Sequence, residues 1–300
     1  MRVAGAIDIG GTSTKIGIVA ANGDILTRDR VATSLGGEPR SLVGAIKSSM
    51  LPLLQKARAD EQSLVGVGVS VAGFLTPDRS AMVHNANLPR LREFPLRNAL
   101  SEALGIECRL EVDSNASTIA EYQHGSGRGA KRLLGIIVGT GVGGGVIIDG
   151  SLLRFTGECA GDIGHVIVAP EGRMCSCGAR GCLEAMVNTS ALIERAGGTP
   201  VRETVTAARA GDAAARNILE ESGWWIGLGL ASLSQIFSPD RIVVGGGIAA
   251  AGDALLEPTR ESYRKHARPE FVDHTEVIGS SFDGWEGLVG AASVFLDPVP

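Results

Sequence analysis

Twice in this chain a strand runs into a glycine-rich turn and returns at once as a second strand, and that repeated device narrows the fold more than any other feature. The first copy is the apolar run Ala4 to Ile9, ending in Asp8-Ile9-Gly10-Gly11-Thr12, with Ser13 to Ala20 directly behind it. The second is Leu133 to Val138, entering Gly139-Thr140-Gly141-Val142-Gly143-Gly144-Gly145 and returning through Val146 to Ile148. Around each copy the pattern reads strand, strand, strand, helix, strand, helix, which predicts two similar α/β halves. The 300 residues suffice for two such domains.

Glycines between strands bring bare backbone N–H groups to a phosphate, and a hydroxyl at the turn adds a donor. Asp8, Gly10, Gly11, Thr12 and Lys15 form one candidate phosphate grip, with Asp8 placed to hold the magnesium that accompanies a nucleotide. Thr140, Gly141 and Gly143 form the second. Gly245, Gly246 and Gly247, between a strand and a helix, offer a flat surface for a base and ribose. Each run alone reads equally well as a tight turn; three together favour a nucleotide. The glycine spacing matches neither a Walker A loop nor a dinucleotide fingerprint.

His165-x9-Cys175-x-Cys177-x4-Cys182 supplies four ligands suited to one tetrahedral zinc ion. Three of the five cysteines fall within eight residues, which is no disulfide framework and points to a reducing compartment. A complete protein ligand set leaves no open position for water, so the zinc is expected to be structural and a zinc hydrolase is disfavoured. Cys108 and Cys159 stand outside the motif and read as small buried hydrophobes. Three carboxylates lie beside these elements: Asp113 at a strand end, Asp162 three residues before His165, and Glu184 two after Cys182. Carboxylates accept hydrogen bonds from hydroxyl pairs, the usual way to bind a polyol.

A net charge of −5 gives no footprint for nucleic acid or an anionic membrane. No signal peptide or membrane span is visible, so a cytoplasmic protein is expected.

These motifs resemble those of the ROK family of sugar kinases and repressors, within the actin-like, hexokinase-like ATPase fold. The resemblance is carried by Asp8-Ile9-Gly10-Gly11-Thr12, Asn87-Leu88-Pro89, Asp113-x-Asn115-Ala116, the Gly139 to Gly145 run, Gly161-Asp162-Ile163-Gly164-His165 and Cys175-x-Cys177-Gly178-x-x-Gly181-Cys182-x-Glu184. It implies two actin-like (ribonuclease H-like) α/β domains flanking a cleft. Residues 1–112 plus 284–300 would form the smaller, and 113–283 the larger with its zinc loop. It also implies ATP-dependent phosphorylation of a hexose or sugar-like hydroxyl, with Asp113 as general base. Gly73, Asn87, Asp113, Asp162, His165 and Glu184 would lie at the sugar, zinc on His165 and the three cysteines, and a homodimer would be the assembly.

Two departures bear on substrate. Family kinases usually carry Asn-Asp where this chain has Val112-Asp113, and Glu-x-Gly-His where it has Asp162-Ile163-Gly164-His165. Val112 lacks the amide's hydrogen bonds, and Asp162 is shorter by about one methylene, ~1.5 Å. A preference other than strict glucose, including a cyclitol, is therefore expected. The alternative from another class is a non-catalytic sugar-binding regulator. A DNA-binding repressor is disfavoured, because Asp8 follows Met1 too closely for a helix-turn-helix.

Overall fold

The computed structural model describes residues 1–33, 37–84, 88–154 and 162–300. The chain divides into two units: Met1–His124 with Gly150–Ala160 and Trp285–Pro300, and Gly125–Asp149 with Gly161–Gly284. The sequence reading set the first boundary at Val112. In the structure the following helix packs against the last helix of the chain and groups with the first unit.

The first unit opens as an antiparallel meander, β1 (Arg2–Ile9), β2 (Ser13–Ala20) and β3 (Ile25–Ala32). Helix α1 (Pro39–Ala59) then leads to β4 (Ser63–Val71), which pairs parallel to β1. After the short hairpin β5 (Phe74–Leu75) and β6 (Met82–His84), helix α2 (Leu96–Leu104) returns the chain to β7 (Cys108–Val112), parallel to β4. The sheet order is β3-β2-β1-β4-β7. Helix α1 runs through Pro52.

Strand alternation decides what each face of this sheet meets. Ile7, Val69, Leu110 and Val112 point to one side and pack with Ile46, Met50 and Leu54 of α1 and Leu100 of α2. Ala4, Ala6 and Val19 point to the other, where Leu288, Ala291 and Phe295 of the closing helix α10 (Glu286–Leu296) cover them. Helix α3 (Asp113–His124) lies against α10 so closely that a Cβ on Gly290 would overlap the Ala116 carbonyl. Asp113 itself opens α3, and its Oδ1 accepts the Ser114 N–H at 2.8 Å. Ser114 sits inside the first turn.

The second unit repeats the plan. β8 (Arg132–Val138) and β9 (Val142–Ile148) are antiparallel, and β11 (Arg241–Gly245) and β12 (Glu276–Gly279) extend the sheet in parallel. The short β10 (Ser151–Leu152) lies in the first unit's middle segment, where the Leu152 N–H donates to the Pro300 carbonyl at 2.7 Å. The helices are α4 (Leu183–Val187), α5 (Thr189–Arg195), α6 (Val201–Arg209), α7 (Ala213–Phe237), α8 (Asp253–His266) and α9 (Pro269–Val272). Asn188 divides α4 from α5, and its side chain caps α5 by accepting the Ala191 N–H. Likewise Gly252 separates a 3-10 turn at Ala249–Ala251 from α8. Among the described residues, no helix is long and apolar enough to cross a membrane.

Candidate functional site

In the first unit, β1 delivers Asp8 at its C-terminal end, and β7 delivers Asp113 where the strand gives way to α3. Asp8 is held from two sides: Oδ2 accepts Lys15 Nζ at 3.0 Å and Oδ1 accepts Ser70 Oγ at 3.0 Å. Lys15 faces Asp8 across the β1–β2 ladder and Ser70 faces it across the β1–β4 ladder. Burial pushes the Asp113 carboxyl up to about 6, and the Asp8 charge adds to the rise. Glu286, at the start of α10, is also pushed up by burial, and its buried Oε2 has no hydrogen-bond partner. Asp8 lies close enough to raise both Asp113 and Glu286, and these three carboxylates offer the hard oxygens that a magnesium–nucleotide takes. Gly10, Gly11 and Thr12 form the β1–β2 turn, with the Gly10 N–H on the Ser13 carbonyl at 3.2 Å.

In the second unit the glycine run is a shorter turn than expected. Only Gly139 to Gly141 turn the chain; Gly143, Gly144 and Gly145 lie within β9, paired with Ile137, Ile136 and Gly135. The turn is anchored from below, since the Thr189 N–H at the start of α5 donates to the Gly139 carbonyl at 2.9 Å. Gly245 ends β11, and Gly246 takes a left-handed conformation with φ of 92°.

The four expected metal ligands come together: single donor atoms of His165, Cys175, Cys177 and Cys182 all lie within 4.8 Å of one another. Cys175 Sγ is 3.5 Å from His165 Nδ1, and Cys177 Sγ is 3.6 Å from Cys182 Sγ. A tetrahedral zinc with ordinary Zn–S and Zn–N bonds sets neighbouring ligand atoms about 3.5–3.8 Å apart, so the donors fit that ion. The sulfur separation is far beyond a disulfide bond. Gly178 and Gly181 turn the loop with φ of 91° and 76°. His165 directs Nε2 at Asp162 Oδ1, 3.5 Å away, the carboxylate–imidazole pairing that orients a metal-binding ring.

Glu184 joins this loop to the glycine turn. Its Oε2 accepts the Val142 N–H at 2.9 Å, and its Oε1 accepts Ser176 Oγ at 3.2 Å. A Cβ on Gly141 would stand 2.7 Å from that same Oε2, so only glycine fits there without displacing the carboxylate. Sequence reasoning gave Glu184 to the sugar alone and missed this bridge. It also missed Ser70 and Glu286, which no motif marks.

Of the remaining candidates, Gly73 forms a left-handed bend between β4 and β5, with φ of 102°. Asn87 and Cys159 lie outside the described residues. Cys108 is buried, and desolvation pushes its thiol up to about 11, as expected of a core cysteine. Val112 is also a core residue, 8% exposed and packed with the α1–α2 face.

Known proteins resemble this chain over nearly its whole length. The ROK family profile matches residues 4–297. A glucokinase of Streptomyces coelicolor is 33% identical over 321 residues, covering 98% of both chains. An N-acetylmannosamine kinase of Escherichia coli is 30% identical over 291 residues, covering 96% of both. Among solved structures, a ROK family glucokinase from Streptomyces griseus, in complex with glucose and AMPPNP, superposes with a TM-score of 0.86 at 31% identity. That match covers 98% of this chain and 99% of the other.

Proposed function

Since the chain belongs to the ROK family, we propose that it transfers the terminal phosphoryl group of ATP to a hexose hydroxyl, with Asp113 as general base. The protein is an ATP-dependent sugar kinase of the actin-like ATPase fold. The observation that carries the catalytic assignment is Asp113 itself: a carboxylate at a strand-to-helix junction, pushed up to about 6 by burial and by Asp8. A base works best when its pKa lies near the operating pH, so that it is ionised yet still basic enough to take the hydroxyl proton.

Each residue has a distinct task. Phosphoryl transfer asks mainly for positioning and charge neutralisation. Asp8 and Lys15, with the Gly10-Gly11-Thr12 turn, would receive the nucleotide phosphates, and magnesium bound there would neutralise their charge. Thr140, Gly141 and Gly143, with Gly245 to Gly247, would receive the rest of the nucleotide. Asp162, His165 and Glu184 would bind the sugar hydroxyls. A zinc ion held by His165, Cys175, Cys177 and Cys182 would supply rigidity; its ligand set is complete, so it takes no part in the chemistry.

Glucose is the first candidate acceptor, as the S. coelicolor and S. griseus proteins are glucokinases. The Val112 side chain lies in the core, which leaves Asp162 as the departure through which preference would differ. The test is kcat/KM with Mg-ATP across glucose, mannose, N-acetylmannosamine and a cyclitol. Turnover highest on a hexose supports the reading. Turnover on the cyclitol alone would move the substrate class, and binding of a sugar without turnover would favour a regulator.

A further inference from the structure

Glu111 is a completely buried carboxylate two residues before Asp113, and none of the roles above uses it. Burying a charge costs several kcal/mol unless it is paired and fully hydrogen-bonded. Here both oxygens are satisfied. Oε1 accepts the Val112 N–H at 3.0 Å, Asn115 Nδ2 at 3.2 Å and Arg154 Nη1 at 3.2 Å. Oε2 accepts Arg154 Nη2 at 2.8 Å and Arg79 Nη1 at 3.3 Å. Arg154 therefore grips the carboxylate bidentately, the strongest geometry such a pair can take.

The donors come from separate parts of the first unit. Arg79 follows β5 and holds a left-handed backbone with φ of 51°, uncommon for a residue with a side chain. Arg154 follows β10. Both guanidinium groups line a cavity of 520 Å³, so solvent reaches them while Glu111 beneath stays dry. The other two donors, Val112 and Asn115, stand on either side of Asp113. Glu111 also pairs in register with Ser70, which hydrogen-bonds Asp8. One carboxylate thus ties down the junction that carries the base and adjoins the strand that holds the phosphate-site Asp8.

We propose that Glu111 is a positioning residue for phosphoryl transfer, fixing the β7–α3 junction through Val112 and Asn115 so that Asp113 is presented in one orientation, with Arg79 and Arg154 as its counter-ions. The proposal rests on Asp113 being the base. It differs from a simple buried anchor in what it predicts for correctly folded protein: an anchor sets stability, whereas a positioning group sets turnover.

The experiment compares Glu111→Gln, Glu111→Asp and Asn115→Ala in the full-length protein, reading kcat, both KM values, the pH profile and Tm. Misplacing a catalytic group by about 1 Å can cost about 100-fold in rate. Glu111→Gln is expected to lose kcat on that scale with both KM values within about threefold, and to shift the acid limb of the profile downward as Asp113 gains water. Glu111→Asp should recover part of the rate, because it keeps the charge. Should Glu111→Gln fail to fold, Asn115→Ala decides, since it removes a single bond on the α3 side and leaves both arginines paired. A wild-type kcat and acid limb in folded variants, with only Tm lowered, would overturn the proposal. Retained turnover in Asp113→Asn would instead show that the base assignment beneath it had failed.

Discussion

The Glu184 carboxylate accepts the Val142 N–H at 2.9 Å, binding the helix that follows Cys182 to the glycine turn between β8 and β9. The cysteine-rich loop and the glycine turn, 42 residues apart in the chain, are thereby one piece of structure. The contact is possible because residue 141 has no side chain.

Gly141→Ala tests that contact. The added methyl would meet Glu184 Oε2 at 2.7 Å, so the carboxylate must withdraw and the Val142 N–H loses its partner. Losing a hydrogen bond to a charged acceptor costs about 1.5–3 kcal/mol. The expected outcome is a KM for sugar or ATP raised about tenfold or more, with the fold intact by circular dichroism. An unchanged KM for both would show that the bridge does not shape either site.

The pH dependence follows from Asp113. With its carboxyl pushed up to about 6, kcat/KM should fall about tenfold per pH unit below that point and be level above it. The stability effect has the opposite sense. A carboxyl more basic when folded than unfolded contributes stability present below about pH 4 and lost as the pH rises through about 6. Asp113→Asn should therefore be more stable than wild type at pH 8, by about 1–3 kcal/mol, and equal to it near pH 4. Thermal melts at the two pH values check this.

One zinc per chain is expected by elemental analysis, and Cys177→Ser should lower that content sharply. Because the ligand set is complete, stripping the metal should lower Tm together with activity, and activity should return on adding zinc. A metal-free protein with full stability and turnover would remove the ion from the account.

Gly290→Ala should be destabilised by about 3 kcal/mol, since the new methyl has no room against the Ala116 carbonyl and α10 must lift from α3. A denaturant midpoint equal to wild type would contradict the packing described.

Much of this was legible in the chain, for identifiable reasons. The cysteine spacing defines a metal cluster without any knowledge of the fold. Alternation along β7 places Cys108, Leu110 and Val112 on one face and Glu111 on the other, so the core position of Val112 could have been read from the pattern. What could not be read depends on contacts between distant segments. Glu111 shows as one charge in a strand, and nothing in sequence brings Arg79 and Arg154 to it. The glycine run from Gly139 to Gly145 looks like one loop, yet three of its glycines continue β9, because ladder pairing with β8 outweighs their low strand preference. Asp113 opens α3, where its carboxylate accepts the Ser114 N–H and its charge suits the helix N-terminus.

The central claim is tested most directly by following ADP release from Mg-ATP and glucose with wild-type protein and with Asp113→Asn, alongside calorimetric binding of both ligands. General-base assistance is typically worth about 10²–10⁴ in rate. The account predicts steady turnover by wild type, a loss of that size or greater in the variant, and sugar binding retained in both. Equal turnover by the two proteins, or none by wild-type protein that binds both ligands, would contradict it.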